Sequence, residues 1–297
     1  MHASAKPLIA ALLLTLSAKA IRTQSPLPVF YVAQIPQARA MADRLAAEAG
    51  PGATLPVPLS PEVPEGLARA LSTSSPRAAI ALGPHAVRMA RQTLPAAWIV
   101  YALVPFPEEE GFLTDPKNVG IDALTVPRAA KELLSHAGVK GKAALLHSVR
   151  VSGTAGRLVR EWRAEGLDVE AVAVSQAPLM EDLFSRLKGR YSALLLLPDP
   201  VTDNPYRLRF IVTESLQARM VPLALDCGLA SQGVALALAP SPQSVAALLH
   251  ATAQAAFSDS GYQGPKRITA DRAETAGNKA ALAGLGIRTD LRIDTRY

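Results

Sequence analysis

The chain has 297 residues, of which 49% are hydrophobic and 19% charged, and its formal net charge is +6. This composition is typical of a globular protein and excludes a disordered one, and the length allows one large core or two medium ones. Lysines and arginines are scattered among acidic residues, with no basic stretch interleaved with aromatic residues, so the pattern argues against nucleic-acid binding.

The first twenty residues have the pattern of a secretory signal peptide. Lys6 precedes an eleven-residue apolar core from Leu8 to Ala18, and Ala18-Lys19-Ala20 has the small-x-small spacing of a signal peptidase site. The core is too short to cross about 30 Å of hydrocarbon, so a permanent membrane anchor is the weaker interpretation. We expect the mature chain to start at or near Ile21 and to be released into a periplasm.

Cysteine usage agrees with this expectation of a soluble exported protein. Cys227 is the single cysteine, so no internal disulfide is possible. No cysteine follows the apolar segment, which removes the lipid-modified N-terminus of a lipoprotein. Cys227 lacks a sequence signature of a nucleophile, and a small buried hydrophobic residue is the favoured interpretation.

Strands and helices alternate along the rest of the chain. In a first series, an Ala-rich amphipathic helix stopped by Gly50 follows the first strand, and a helix begins near His85. A helix over 127–138 opens a second series, whose later helices begin near Thr154, near Leu179 and after Asn204-Pro205. The predicted strands are 28–34, 78–83, 97–104 and 118–124 in the first series, and 142–148, 168–174, 192–198, 221–226 and 234–240 in the second.

This alternation predicts an α/β protein with parallel sheets in two lobes. The tail departs from it, with a predicted helix at 241–257, a short extended piece at 264–269 and a last helix over 274–287. Such segments can cross back between lobes and form a hinge of several linkers. We therefore predict a first lobe of residues 26–125 plus 241–264 and a second lobe of residues 126–240 plus 265–297.

Motifs for common enzyme classes are absent from the sequence. It has no G-x-x-x-x-G-K-[ST] phosphate loop, no G-x-G-x-x-G after the first strand, no H-E-x-x-H and no G-x-S-x-G. Its five histidines show no metal-ligand spacing. The sequence therefore predicts no catalytic residue, no cofactor and no metal.

Candidate ligand-binding residues lie where strands end. Gly83, Pro84 and His85 mark a strand-to-helix turn, where the first N–H groups of the helix could hold a carboxylate or phosphate. The alternative is that the glycine and proline only make the turn. Ser148, Ser152 and Thr154 offer hydroxyl groups at the equivalent edge of the second series, with helix capping as the alternative role.

Asp199 is the sharpest candidate, because it follows four leucines and stands between two prolines in LLLLPDP. A run that is apolar enough for burial on both faces leads to a strand end, where α/β proteins bind ligands. The hypothesis is that Asp199 faces a ligand ammonium group, and the alternative is a turn residue. Asp226, at the end of VPLALD, is a further ligand-binding candidate.

The whole chain resembles the ABC transporter substrate-binding family that includes tryptophan- and tyrosine-binding members. The resemblance rests on the order of AIALGPHAV, NVGIDALTVPRAAKELL, KAALLHS, ALLLLPDPVTDN, MVPLALDCGLASQGVALALAP and NKAALAGLGI, and it covers nearly all of the mature chain. It implies the type I periplasmic binding-protein fold, with two Rossmann-like lobes, three crossings and a ligand closed between the lobes.

The resemblance also assigns ligand-binding loops. It implies that residues 83–85 and 148–154 meet the ligand from opposite lobes and that Asp199 is the acid after the buried strand. Two departures border the expected cleft: His85 stands where the family usually has a small residue, and LVPFPEEEGFL (103–113) replaces a more typical v-DP-v-x-x-G-L.

The function that follows as an expectation is periplasmic solute binding for an ABC transport system. The partners would be a small organic ligand, such as an amino acid or a related compound, and a permease in the inner membrane, with the protein a monomer. A ligand-sensing or orphan binding protein without a transport role is the alternative with the same fold, and an enzyme ranks third.

Overall fold

The structure of the protein is a computed structural model that describes residues 26–60, 63–124, 126–174, 180–258, 260–287 and 293–297. The predicted signal peptide lies outside the described residues. Among the helices that are described, none has the length and apolar character needed to cross a membrane.

Two separate sheets form the framework of the molecule, as the alternating pattern predicts. The first has six strands in the order β11-β5-β4-β3-β1-β2, and the second has seven in the order β13-β12-β10-β9-β8-β6-β7. The strands are β1 (Leu27–Val32), β2 (Thr54–Leu59), β3 (Ala78–Leu82), β4 (Trp98–Ala102), β5 (Asn118–Ile121), β6 (Ala143–Ser148), β7 (Val169–Val174), β8 (Ala193–Leu196), β9 (Val221–Ala224), β10 (Leu236–Pro240), β11 (Arg267–Ile268), β12 (Ala273–Gly277) and β13 (Thr295–Arg296).

Helices cover both sheets. They are α1 (Pro36–Ala49), α2 (Glu65–Ser74), α3 (Pro84–Thr93), α4 (Pro127–His136), α5 (Ser152–Ala164), α6 (Met180–Leu187), α7 (Pro205–Gln217), α8 (Pro242–Phe257) and α9 (Lys279–Gly284). In the first lobe, defined by the first sheet, alternate residues of β3 point to two cores. Ile80 packs with residues of α1 and α8, whereas Ala81 packs with residues of α2 and α3. Burial on both faces explains why such strands are unbroken apolar runs.

Pairing within the sheets is parallel except between β10 and β12, which are antiparallel. The two-lobed α/β architecture with mostly parallel sheets is therefore confirmed. The strand β2 was not predicted, because Pro56 and Pro58 interrupt its sequence. It lies at the edge of the first sheet, where a strand can accommodate residues that donate no ladder hydrogen bond.

The last predicted helix, over 274–287, is wrong in its first part. That part is the strand β12, and the helix α9 begins only after Asn278, whose side chain accepts a hydrogen bond from the amide of Ala281 at 3.0 Å. Asparagine is a favoured helix cap, so this residue stops the strand and starts the helix. Gly277 is the last residue of β12, and a Cβ there would lie 2.6 Å from Cδ1 of Ile293, so any larger residue would require that side chain to move.

The chain passes between the two sheets three times, after β5, after β10 and after β11. The helix α8 returns to pack on the core of the first lobe. The strand β11 also pairs in the first sheet, with β5, whereas the predicted boundary assigns residues 265–297 to the second lobe. The third crossing therefore follows Ile268. The second lobe is the second sheet with the helices that cover it.

Candidate ligand-binding site

The two lobes meet at the carboxyl ends of their strands. The loop of residues 103–113 follows β4, and Asp122 follows β5, both in the first lobe. The second lobe contributes α5, which follows β6 after a short turn. Side chains from these three places are in direct contact. In open α/β sheets, ligands bind at the carboxyl ends of the strands, so this meeting place borders the candidate site.

An ion network joins the lobes here. Arg157 on α5 contacts Glu108 (Nε to Oε1, 2.5 Å), Asp122 (Nη1 to Oδ2, 3.0 Å) and, on its own helix, Glu161 (Nη1 to Oε2, 3.1 Å). Arg267 on β11 contacts Asp122 at 3.2 Å and also pairs with Glu161. The arginine and carboxylate charges are shared between the lobes, so separating the lobes on this side would leave charges without partners.

Burial strengthens the attraction between the Arg157 guanidinium and the carboxylates around it. The Arg157 side chain is 11% exposed. Burial by itself lowers the pKa of Arg157, but the nearby Asp122, Glu108 and Glu161 carboxylates outweigh it and raise that pKa, so the guanidinium stays charged. Burial, reinforced by Glu108 and Asp122, also raises the pKa of the Tyr101 phenol, which stays neutral.

The start of α5 binds two glutamates of the 103–113 loop. The amide of Thr154 donates to Oε1 of Glu109 at 2.9 Å, and the Thr154 hydroxyl lies 2.6 Å from Oε2 of Glu109 and 2.9 Å from Oε2 of Glu108. Thr154 is fully buried. The Thr154 hydroxyl, which the sequence predicts for ligand binding, therefore has protein partners in this structure.

Asp199 is only 1% exposed. One carboxylate oxygen, Oδ2, accepts a hydrogen bond from the amide of Ser148 at 2.6 Å, and the other, Oδ1, accepts one from the amide of Val201 at 2.8 Å. The side chain thereby ties the end of β6 to the loop after β8. This arrangement favours the turn role, while contact of Asp199 with a ligand stays a prediction.

Two further aspartates lie near Asp199. Asp226 caps a short 3-10 turn, because its Oδ1 accepts a hydrogen bond from the amide of Gly228 at 2.8 Å. Asp203 is exposed, and partial burial together with the charges of Asp199 and Asp226 raises the pKa of its carboxyl group. The carboxyl edge of β8 and β9 therefore carries a concentration of negative charge that a cationic group would relieve.

The remaining predicted residues occupy the same strand ends. Gly83 has a φ of 94°, which favours glycine, and it stands directly before α3, so Pro84 and His85 form the first turn of that helix. Ser152 is exposed and its hydroxyl donates to the carbonyl of Val149 at 2.8 Å. The Ser148 hydroxyl is buried and has no hydrogen-bond partner among the described residues.

Three large hydrophobic residues that are exposed in the described part belong to segments that follow strands. Ile35 lies in the turn after β1, Val149 comes directly after β6, and Tyr206, at 84% exposure, lies in the first turn of α7. They come from both lobes.

Sequence reasoning did not find Arg157, Asp122 or Tyr206. The run Glu108–Glu110 was a usable signal, because three consecutive acids in the loop after a strand depart from the pattern of the family that the sequence resembles. Asp122 lacked the signal of Asp199, because the strand predicted over 118–124 includes it, whereas in the structure β5 ends at Ile121 and Asp122 follows it directly. Arg157 had none, since an arginine within a helix most often faces solvent, and only the packing of the lobes places it between carboxylates.

Cys227 does not form part of this chemistry. Burial, with the nearby Glu274, Asp226 and Asp294 charges, raises the pKa of its thiol to about 12. At pH 8 we therefore expect alkylation by iodoacetamide to be about 30- to 100-fold slower than for an ordinary exposed thiol, whose pKa is about 8.5, because the much smaller thiolate fraction is partly offset by the higher nucleophilicity of a more basic thiolate. Timed mass spectra of the native protein, with the protein unfolded in guanidinium as the control, measure the two rates. Native and unfolded rates within tenfold of each other would contradict this prediction.

Comparison with known proteins places the fold. No protein-family model matches the sequence, and no curated protein matches it. Among solved structures, the ligand-free, open structure of a substrate-binding protein with adhesive properties from Clostridium difficile aligns with a TM-score of 0.69 at 12% identity, over 91% of this chain and 98% of that chain. A conserved domain protein from Vibrio cholerae has a TM-score of 0.57 at 12% identity, over 92% of this chain and 100% of that chain.

A third similar structure contains a ligand. It is an ABC domain from Streptococcus pneumonia in complex with L-Trp, with a TM-score of 0.55 at 11% identity, over 91% of this chain and 100% of that chain. These likenesses extend over nearly the whole described chain and both of its sheets. The chain therefore has the two-lobed α/β fold of type I periplasmic binding proteins.

Proposed function

We propose that this protein is a periplasmic solute-binding protein of an ABC transport system that closes its two lobes on a small organic molecule. In this proposal the signal peptide exports the chain, and the mature monomer delivers its ligand to a permease in the inner membrane. It performs no catalysis and needs no cofactor.

The observation that carries the proposal is the meeting of two sheets at their carboxyl ends, with three crossings on which the lobes can turn. Ligand binding by such a framework requires only that the ligand contact both lobes in the closed state and one lobe in the open state. The difference in contacts favours closure. The closed form can then be distinguished by a membrane partner.

The ligand chemistry follows from the side chains at the strand ends. Ile35 and Tyr206 offer apolar contact from opposite lobes, and the aspartates at the edge of β8 and β9 favour a cationic or hydrogen-bond-donating group. An amino acid or a related amine has both features. We propose Gly83, Pro84, His85, Ser148, Ser152, Thr154, Asp199 and Asp226 as residues that line the ligand site or shape its loops.

Purification of the native protein tests the proposal. We expect the protein to leave the cell on osmotic shock and to carry a small molecule that native mass spectrometry identifies. After that molecule is removed and added back, small-angle scattering should show a decrease in the radius of gyration and calorimetry should show binding. Failure to find any small molecule that binds, in extracts or in a panel of amino acids and amines, would contradict a solute-binding role.

The same ligand separates transport from sensing. If the role is transport, deletion of the gene should abolish uptake of the radiolabelled ligand by whole cells. Unchanged uptake, together with a lost transcriptional response to the ligand, would favour the sensing alternative.

A further inference from the structure

The first turn of α5 is arranged to bind a carboxylate. The Thr154 amide and hydroxyl converge on the Glu109 carboxylate at 2.9 and 2.6 Å. Gly153 leaves room for it, since a Cβ at that position would lie 3.1 Å from Oε1 of Glu109. The N-terminus of a helix also favours a negative charge through its dipole and its free amide groups.

Unpartnered polar atoms lie in the same cluster. Nη2 of Arg157, on the next turn of α5, and Oη of Tyr101 are both buried and have no hydrogen-bond partner among the described residues. The Tyr101 ring packs edge-on against Phe112 of the 103–113 loop, with the ring centroids 5.8 Å apart, so the phenol lies beside the loop that carries Glu108 and Glu109. The cluster therefore has donors in addition to those that Glu108 and Glu109 use.

We propose that residues 153–157 form a carboxylate-binding site in the second lobe and that Glu109 of the first lobe fills it. Glu109 is then a specificity-determining residue, because a ligand cannot anchor its own carboxylate where a protein carboxylate already lies. The carboxylate site does not depend on the proposed solute-binding function, whereas the specificity role of Glu109 rests on it. This role narrows the ligand class to small apolar amines or neutral molecules that present no carboxylate to this position.

Glu110 provides a comparison within the same loop. Its carboxylate pairs with Arg88 at 2.5 Å, and both residues belong to the first lobe. The side chains of Arg88 and Glu110 are 50% and 34% exposed, so this is a surface ion pair. Removing Glu110 changes the charge of the loop by the same amount as removing Glu109 but leaves the start of α5 untouched.

The test uses sodium propionate as the probe and the amide signal of Thr154 as the readout. In E109A, and more strongly in E108Q/E109A, titration with propionate should shift the Thr154 ¹⁵N–¹H signal saturably and raise the melting temperature above that in sodium chloride of equal ionic strength. The wild-type protein and E110A should show neither effect, because Glu109 occupies the site. E109Q, which preserves the shape of the side chain, should respond less than E109A.

The outcomes separate this proposal from the proposed function. A saturable response in E109A or E108Q/E109A supports a carboxylate site whether or not a transported solute is found. Absence of any response in both folded variants would overturn the proposal, as would an equal response in E110A. Discovery that the wild-type protein carries a ligand whose carboxylate binds Thr154 would overturn the specificity role of Glu109 while supporting solute binding.

Discussion

Replacement of Arg157 by methionine should lower the free energy of unfolding by about 3–5 kcal/mol, the usual effect of removing one member of a buried ion pair. Methionine keeps much of the volume of the side chain but leaves the Glu108 and Asp122 carboxylates without their shared cation. Asp122 retains Arg267, which places the expected loss toward the lower end of that range. Urea denaturation followed by circular dichroism measures it.

Arg160 supplies the matched control. It lies one turn further along α5, is exposed, and has no ion pair among the described residues. Arg160→Met should therefore change the free energy of unfolding by less than about 0.5 kcal/mol, as surface substitutions usually do. Equal losses for Arg157→Met and Arg160→Met would contradict the importance of the network.

A double-mutant cycle isolates the contact between the lobes. If Glu108 and Arg157 stabilise each other across the lobes, Glu108→Gln should cost less in the Arg157→Met background than in the wild-type protein. Additive losses would mean that the two residues act independently and that the contact between Glu108 and Arg157 does not hold the lobes together.

Replacement of Asp199 by asparagine should destabilise the protein without its ligand by about 2–4 kcal/mol. Asparagine can accept the hydrogen bond from one amide, but its NH₂ group then faces the other, so at least one charge-assisted hydrogen bond is lost and a buried N–H is left unsatisfied. Thermal unfolding of the ligand-free variant measures the effect. If stability is unchanged and ligand affinity falls ten- to a hundredfold, the carboxylate contacts the ligand, as the sequence-based hypothesis holds.

Asp203 is the control in the same loop. Partial burial, reinforced by the negative charges of Asp199 and Asp226, raises the pKa of its carboxyl group. A raised carboxyl pKa in the folded state means that the charged form is less favourable there, so above this pKa the charge opposes folding. Asp203→Asn should therefore leave stability at neutral pH unchanged or slightly higher. A large loss would show that the whole loop, and not the Asp199 carboxylate in particular, is sensitive to substitution.

The apolar runs alone determined the architecture. The apolar side chains of LLLL at 194–197 and AAIAL at 78–82 are buried when the sheet is covered on both faces. The helices predicted between successive strands connect them as parallel neighbours. The start of α7 was also predictable from the sequence, because Asn204 is a favoured helix cap and Pro205 suits the first helical turn. In the structure, the Asn204 side chain accepts hydrogen bonds from the amides of Tyr206 and Arg207.

Pairing with neighbouring strands determined the structure of segments whose local sequence pattern does not predict it. The strand β2 contains two prolines and reads as a loop, yet it needs only one neighbour because it lies at the sheet edge. The sequence pattern of 273–277 predicts part of a helix, but this segment is a strand because it pairs with β10. The sequence predicts an extended piece at 264–269 but assigns its residues from 265 onward to the second lobe, and only the pairing with β5 places β11 in the first sheet.

At the candidate site, the sequence determined which residues stand at strand ends but not what they face. It marked Asp199, Thr154 and the 103–113 loop as bordering the cleft. In the tertiary structure, the Asp199 carboxylate accepts hydrogen bonds from two backbone amides, and Thr154 forms hydrogen bonds with two glutamates of the other lobe. The physical reason is that strand ends follow from local hydrophobic pattern, whereas the partner of a charge depends on which distant segment the packing of two lobes brings within about 3 Å.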